Sequence, residues 1–230
     1  MLTLKQVAIM TRSHVNIFLI VTSVYLVSTF FKPYPLSWVL KLLPIIILLH
    51  FSLKRTFETK ERIHKLFIVG LAFSALGDFF LGYDPVNRFV LGLGSFLVAH
   101  IFYIFSLKPL LPIAGVIKRL PIIVLYCLYG VCMFSLIYAG LGDLFIPVFV
   151  YMAILLLMGI TTLLSQKSNK WLLIGGISFI LSDSFIGLDK FYQEIPFASF
   201  FIMSTYYFAQ FSLVKGLFQT VPTLTPKTTI

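Results

Sequence analysis

Two aspartates stand where an apolar sequence has no ordinary use for them. Asp78 lies in "LAFSALGDFFLGYD", residues 71–84, and Asp183 lies in "GISFILSDSFIGLD", residues 176–189. An aspartate at mid-membrane costs on the order of 3 kcal/mol on insertion scales, so it should face other helices and have a reason to stay. Taken singly, either carboxylate can be an interhelical hydrogen-bond anchor and nothing more. Taken together they can share a proton, one acting as a general acid and the other as a base or as the stabiliser of a cation.

Other polar residues recur near them. Lys41, in "LSWVLKLLPIIILL", is a third charge inside an apolar run, about five residues from its start. It can pair with a carboxylate, meet a lipid phosphate, or snorkel to the interface on its long stem. His100 and Tyr103, in "FLVAHIFYIF", share one helix face at a spacing of three. A lone histidine there serves equally as a hydrogen-bonded core residue. Tyr206, Tyr207 and Gln210 can add polar lining, and Tyr151 is a further candidate. Gly70, Ser74 and Gly77 beside Asp78, and Gly175, Gly176, Ser178 and Ser182 beside Asp183, would let helices approach closely with or without a site. The four histidines are scattered, so no metal is expected. No nucleophile elbow or phosphate loop occurs, so no cofactor is expected either.

The elements that must hold these residues are membrane spans. The chain has 230 residues, 59% of them hydrophobic and 11% charged, with a mean hydropathy of +1.00. Runs of about twenty apolar residues recur along it, which is the length a bilayer demands. The reading is an all-α polytopic membrane protein in one integral membrane domain covering 1–230. Eight helices are expected, at about 15–31, 36–53, 64–83, 86–107, 118–139, 143–164, 170–188 and 195–218. The segment "VNIFLIVTSVYLVSTFF" reads as a first span and not as a cleaved signal. Cys127 and Cys132 share one span and say nothing about redox compartment.

Fourteen of the eighteen lysines and arginines fall in the termini and alternate connections, and three in the opposite set. Both termini are therefore expected in the cytoplasm. The same distribution explains the net charge of +10 without nucleic acid as a partner. Asp78/Asp183 and Asp84/Asp189 also recur at a common offset of 105, together with Gly70/Gly175 and Gly82/Gly187. Tyr103 and Tyr207 follow at an offset of 104. A duplicated four-helix unit is expected, with halves at about 15–110 and 118–218 running parallel because each holds an even number of spans.

The motifs "GDFFLG", "GLGSFLVAHIFYIF" and "SDSFIG", spread over an eight-span chain, resemble the YhhN/TMEM86 family of lysoplasmalogenases. The resemblance covers nearly the whole chain. It implies hydrolysis of the vinyl-ether bond of a lysoplasmalogen, a lysophospholipid, to a fatty aldehyde and glycerophosphocholine or glycerophosphoethanolamine. The matching positions are Asp78, His100, Tyr103 and Asp183, with Lys41 at a position where the following proline is displaced to Pro44. Asp78 and Asp183 would then be catalytic. Lys41, His100, Tyr103 and Tyr207 would bind or support substrate. The setting would be the inner membrane of a bacterium or the endoplasmic reticulum membrane of a eukaryote.

Two rivals carry different chemistry. A proton-coupled transporter fits the duplication and the paired acids, but its broken helices are not foreshadowed by any proline inside the spans that carry Asp78 and Asp183. An intramembrane aspartyl protease would need a Y-D pair inside a span, and Tyr83-Asp84 falls at a helix end.

Overall fold

The computed structural model describes residues 12–219. Nine α-helices run in order among them: α1 Arg12–Ser28, α2 Ser37–Thr59, α3 Arg62–Tyr83, α4 Phe89–Ser106, α5 Ile113–Lys118, α6 Leu120–Ile137, α7 Phe145–Leu164, α8 Lys170–Phe191 and α9 Ala198–Gln219. Short 3-10 turns extend α1 and join α6 to α7. No strand occurs among the described residues, as expected where every backbone group must be satisfied within its own segment.

Seven of these helices are long and apolar enough to cross a membrane: α1, α2, α3, α4, α6, α7 and α8. The helix α9 has 22 residues but is not among the seven. Its Tyr206, Tyr207, Gln210 and Lys215 lower its hydropathy, and the first three of these are buried in the bundle. The outer surface of the bundle is apolar, and its interior sets polar groups within a hydrophobic core. Leu19, Ile20, Val24 and Val27 on α1 and Leu125, Leu128 and Val131 on α6 are exposed, whereas Lys41, Ser74, Asp78 and His100 are buried. That arrangement suits a hydrocarbon surround and would be unstable in water. The chain is an integral, multi-pass membrane protein.

Element ends differ from the sequence reading by several residues, most clearly at α2, α6 and α8. The helix α2 continues through "KRTFET", where a loop was expected, because Lys, Arg and Glu are good helix formers and Arg55 and Thr56 are buried against neighbours. It ends at Lys60, whose backbone is left-handed. The fifth expected span starts later than 118: the short α5 precedes it, and Pro121 occupies the first turn of α6, where its missing N–H costs nothing. The helix α8 runs three residues further than expected, to Phe191. Both chain termini lie outside the described residues.

Packing follows a repeating scheme. The most extensive contacts are α3 on α4 and α8 on α9, then α2 on α3 and α7 on α8, with α1 on α2 and α6 on α7 outside them. The two sets meet through α4 against α7 and through α2 against α9. Glycines permit the close approaches. A Cβ on Gly70 would lie 2.6 Å from the Tyr103 ring, and one on Gly216 would lie 2.8 Å from the Leu172 backbone nitrogen. The helix α8 starts at a capped end, where Asn169 accepts from the Trp171 and Leu172 N–H groups and donates to the Gly216 carbonyl.

Candidate functional site

The two aspartates are held by different partners on helices that occupy matching places in the packing scheme. Asp78, on α3, meets Lys41 of α2: Nζ lies 3.1 Å from Oδ1. Asp183, on α8, accepts a hydrogen bond from the Tyr151 hydroxyl of α7. One carboxylate thus faces a cation and the other a neutral phenol. No hydrogen bond joins the two carboxylates among the described residues.

The Lys41–Asp78 pair is sealed. Lys41 is 8% exposed and Asp78 1% exposed. Tyr207 donates to the Lys41 carbonyl at 2.7 Å, and Tyr25 packs edge-on against Tyr207. The Tyr206 hydroxyl lies within electrostatic reach of Asp78 but makes no hydrogen bond among the described residues, and neither does Asp78 Oδ2. Two charges this deep attract strongly because little solvent screens them, and that attraction offsets part of the cost of removing them from water.

His100 and Tyr103 share a face of α4, as their spacing predicts, but belong to different contacts. Tyr103 bridges three helices: its hydroxyl donates to Gln210 Oε1 at 2.9 Å, lies 3.2 Å from Ser74 Oγ, and its ring stacks on Phe67. His100 is fully buried in an aromatic box, 4.7 Å from Phe179 and 5.5 Å from Tyr151 between ring centroids. Neither of its ring nitrogens makes a hydrogen bond among the described residues. His100 therefore stands beside the tyrosine that holds Asp183, and one helix turn from the tyrosine that ties α3 to α9.

A narrow cavity of about 60 Å³ lies between α4, α6, α7 and α8. Its wall is apolar (Leu93, Phe96, Met133, Val148 and Leu155 among others) and is broken by Asp183, Ser184, Tyr129 and Tyr151. Asp183 is half-buried because it faces this space. Asp78, Lys41, His100, Tyr103 and Tyr207 do not line it. The structure thus brings Lys41 to Asp78, Tyr207 to Lys41 and Tyr103 to Ser74 and Gln210, and sets Asp183 apart on the cavity wall. Sequence reasoning passed over Tyr129, whose hydroxyl lies 2.7 Å from Ser184 Oγ across the α6–α8 seam. The available signal was a tyrosine in an otherwise apolar span, since a buried phenol needs a partner for its hydroxyl. Among the described residues, no cluster of three or more His, Cys, Asp or Glu could hold a metal ion.

The site is thus an apolar pocket carrying one hydrogen-bonded carboxylate inside a multi-pass helical bundle. The chain belongs to the YhhN family, whose model matches residues 36–217. Among its relatives, lysoplasmalogenase TMEM86A of Bos taurus is 36% identical over 194 residues, 76% of each chain. Lysoplasmalogenase TMEM86A of Homo sapiens is 37% identical over 153 residues, 62% of this chain and 60% of that one. A lysoplasmalogenase of Mycobacterium bovis is 32% identical over 155 residues, 66% of this chain and 59% of that one. The matches to the human and mycobacterial relatives thus span about three fifths of those proteins' own lengths. No solved structure matches the chain.

Proposed function

We propose that the protein is a lysoplasmalogenase, which hydrolyses the vinyl-ether bond of a lysoplasmalogen to a fatty aldehyde and glycerophosphocholine or glycerophosphoethanolamine. The observation that carries this reading is Asp183 on the wall of an apolar cavity between four helices, hydrogen-bonded by Tyr151. The names of the YhhN-family relatives support it.

A vinyl ether reacts when the alkene carbon farther from its oxygen takes a proton. The π electrons form the new C–H bond, and the ether oxygen's lone pair stabilises the resulting oxocarbenium ion. Asp183 is the proton donor in this scheme, and its carboxylate then faces the cation. Water adds to the cationic carbon and its proton returns to the carboxylate. The hemiacetal collapses: its hydroxyl proton leaves as the C=O bond forms, the bond to the glycerol oxygen breaks, and that oxygen takes up a proton. One water is consumed and no redox partner is needed. The two-carboxylate logic of glycosidases is similar. Asp78, sealed with Lys41, contributes the second carboxylate through the field across the bundle and holds α2 against α3. His100, Tyr103 and Tyr207 position the surrounding helices.

The membrane arrangement in this proposal has eight spans, with α9 as the eighth, both termini in the cytoplasm, and two parallel four-helix halves. The repeating packing scheme supports the duplication, and Asp78 and Asp183 each meet a residue of the preceding helix, Lys41 on α2 and Tyr151 on α7.

The test is aldehyde release from a lysoplasmalogen by purified protein in detergent, with Asp183→Asn and Asp78→Asn variants whose folding is verified. Release by the parent and a loss of several orders of magnitude in Asp183→Asn are expected. Full activity in folded Asp183→Asn would refute the site, and no release from a folded parent would refute the reaction.

A further inference from the structure

The helix α8 presents a row of residues along one face that reaches beyond the cavity. Asp183, Gly187 and Lys190 follow at helical spacings of four and three. The seven residues from Asp183 to Lys190 make two turns, about 10.5 Å along the axis. Lys190 is exposed in the last turn, and its ammonium lies 4.3 Å from the centre of the Phe89 ring, which lines the cavity. The neighbouring carboxylate does not neutralise it by necessity, because Asp189 Oδ1 accepts the Ile195 N–H at 2.8 Å and closes the α8–α9 turn.

In the other direction along α8 the cavity wall becomes an open groove. Tyr129 and Ile180 line both spaces, and the groove continues between α6 and α8 over Leu125, Ile177 and Leu181. It is almost wholly apolar. A charged end, a carboxylate and a hydrocarbon slot thus succeed one another on one helix.

We propose that Lys190 binds the phosphate of a single-chain ether phospholipid lying along α8, with its reactive ether at Asp183 and its hydrocarbon chain in the α6–α8 groove. The inference rests on the vinyl-ether reading for the group placed at Asp183. The dimensions agree. Seven covalent bonds separate the protonated alkene carbon from the phosphorus, roughly 9 Å when extended at about 1.25 Å of advance per bond. The flexible lysine stem covers the remainder, and its ammonium offers three donors to phosphate oxygens. Lys41 is not available for this contact: it is buried, paired with Asp78 and absent from the cavity wall.

Binding to the full-length protein in detergent tests the inference with saturated ether ligands, which have no alkene to protonate. The probes are a 1-O-alkyl lysophosphatidylcholine and the 1-O-alkylglycerol that lacks its phosphate. Lys190→Ala should weaken the phospholipid by about tenfold, the scale of one lost charge-assisted hydrogen bond, and leave the alkylglycerol within about twofold. Lys190→Arg should restore most of the difference. Equal phospholipid affinity in the parent and Lys190→Ala would overturn the inference, and so would an equal loss for both ligands. Aldehyde release, assayed separately, distinguishes the two readings. Lys190-dependent binding without hydrolysis would sink the reaction and keep the phosphate site. Hydrolysis with Lys190-independent binding would do the reverse.

Discussion

The Tyr151 hydroxyl donates to the carboxylate of Asp183, joining α7 to α8 at the cavity wall. On α2, the helix that precedes α3, Lys41 meets Asp78. The phenol and the ammonium give two otherwise similar carboxylates different surroundings, and in the proposed mechanism the acid/base roles divide there.

Tyr151→Phe removes the donor and keeps the ring that packs beside His100. The expected result is a fall in kcat of about ten- to a hundredfold with KM nearly unchanged, the range for a group that tunes a general acid. Initial rates of aldehyde release over a range of lysoplasmalogen concentrations measure it. A rise in KM with unchanged kcat would instead place Tyr151 in substrate binding.

The Lys41–Asp78 pair is a stability element with its own signature. Lys41→Met leaves Asp78 buried without its cation and should cost about 3–5 kcal/mol. The double variant Lys41→Met/Asp78→Leu removes both charges and should recover most of that loss. Thermal unfolding in detergent reads both. A double variant as unstable as the single one would show that the charges themselves were not the source.

Two glycines should respond oppositely to alanine. A Cβ on Gly216 meets the Leu172 backbone nitrogen at 2.8 Å, so Gly216→Ala must push α8 from α9, at a cost of about 1–3 kcal/mol. Nothing lies within 4 Å of a Cβ on Gly94, so Gly94→Ala should be neutral or gain up to about 1 kcal/mol from helix propensity. The thermal midpoints of the two variants should move in opposite directions or differ clearly. Equal loss in both would contradict the packing.

Asp84 marks the α3–α4 turn. Its carboxylate accepts the Asn87 backbone N–H at 3.0 Å and the Asn87 side-chain amide at 3.0 Å. These bonds hold its carboxyl below the usual carboxylate range. The unfolded chain therefore binds the proton more readily, and the stabilisation is present at neutral pH and lost as pH falls through the folded-state value. Asp84→Ala should lower the thermal midpoint at pH 7, and the gap from the parent should close as the pH falls below the usual carboxylate range. A gap that stays constant with pH would assign the effect to something other than these bonds.

Asp84 and Asp189 also show what a repeated residue does and does not mean. Both recur at the offset that relates Asp78 to Asp183, yet both close turns at helix ends, Asp84 on Asn87 and Asp189 on Ile195. Repetition in the sequence singled out four acids. Their positions within or beyond the apolar runs separated the pair inside the bundle from the pair at its edge.

The sequence by itself determined that the chain is helical and multi-pass, because runs of twenty apolar residues have no other stable form in lipid. It also singled out Asp78 and Asp183, since a carboxylate in such a run is too costly to be incidental. Helical spacing put His100 and Tyr103 on one face. Only the tertiary structure decided which partner each group met. Lys41 and Asp78 are 37 positions apart, and Tyr151 and Asp183 are 32 apart, so no local periodicity links them. The cavity is likewise a property of four helices that fail to fill the space between them, and no single helix carries a sign of it. Asp183 faces that cavity and Asp78 does not because α6 stands off from α7 and α8, whereas α2 and α9 close over Asp78. Packing between distant segments set that contrast, and sequence pattern, which reports on one helix at a time, could not.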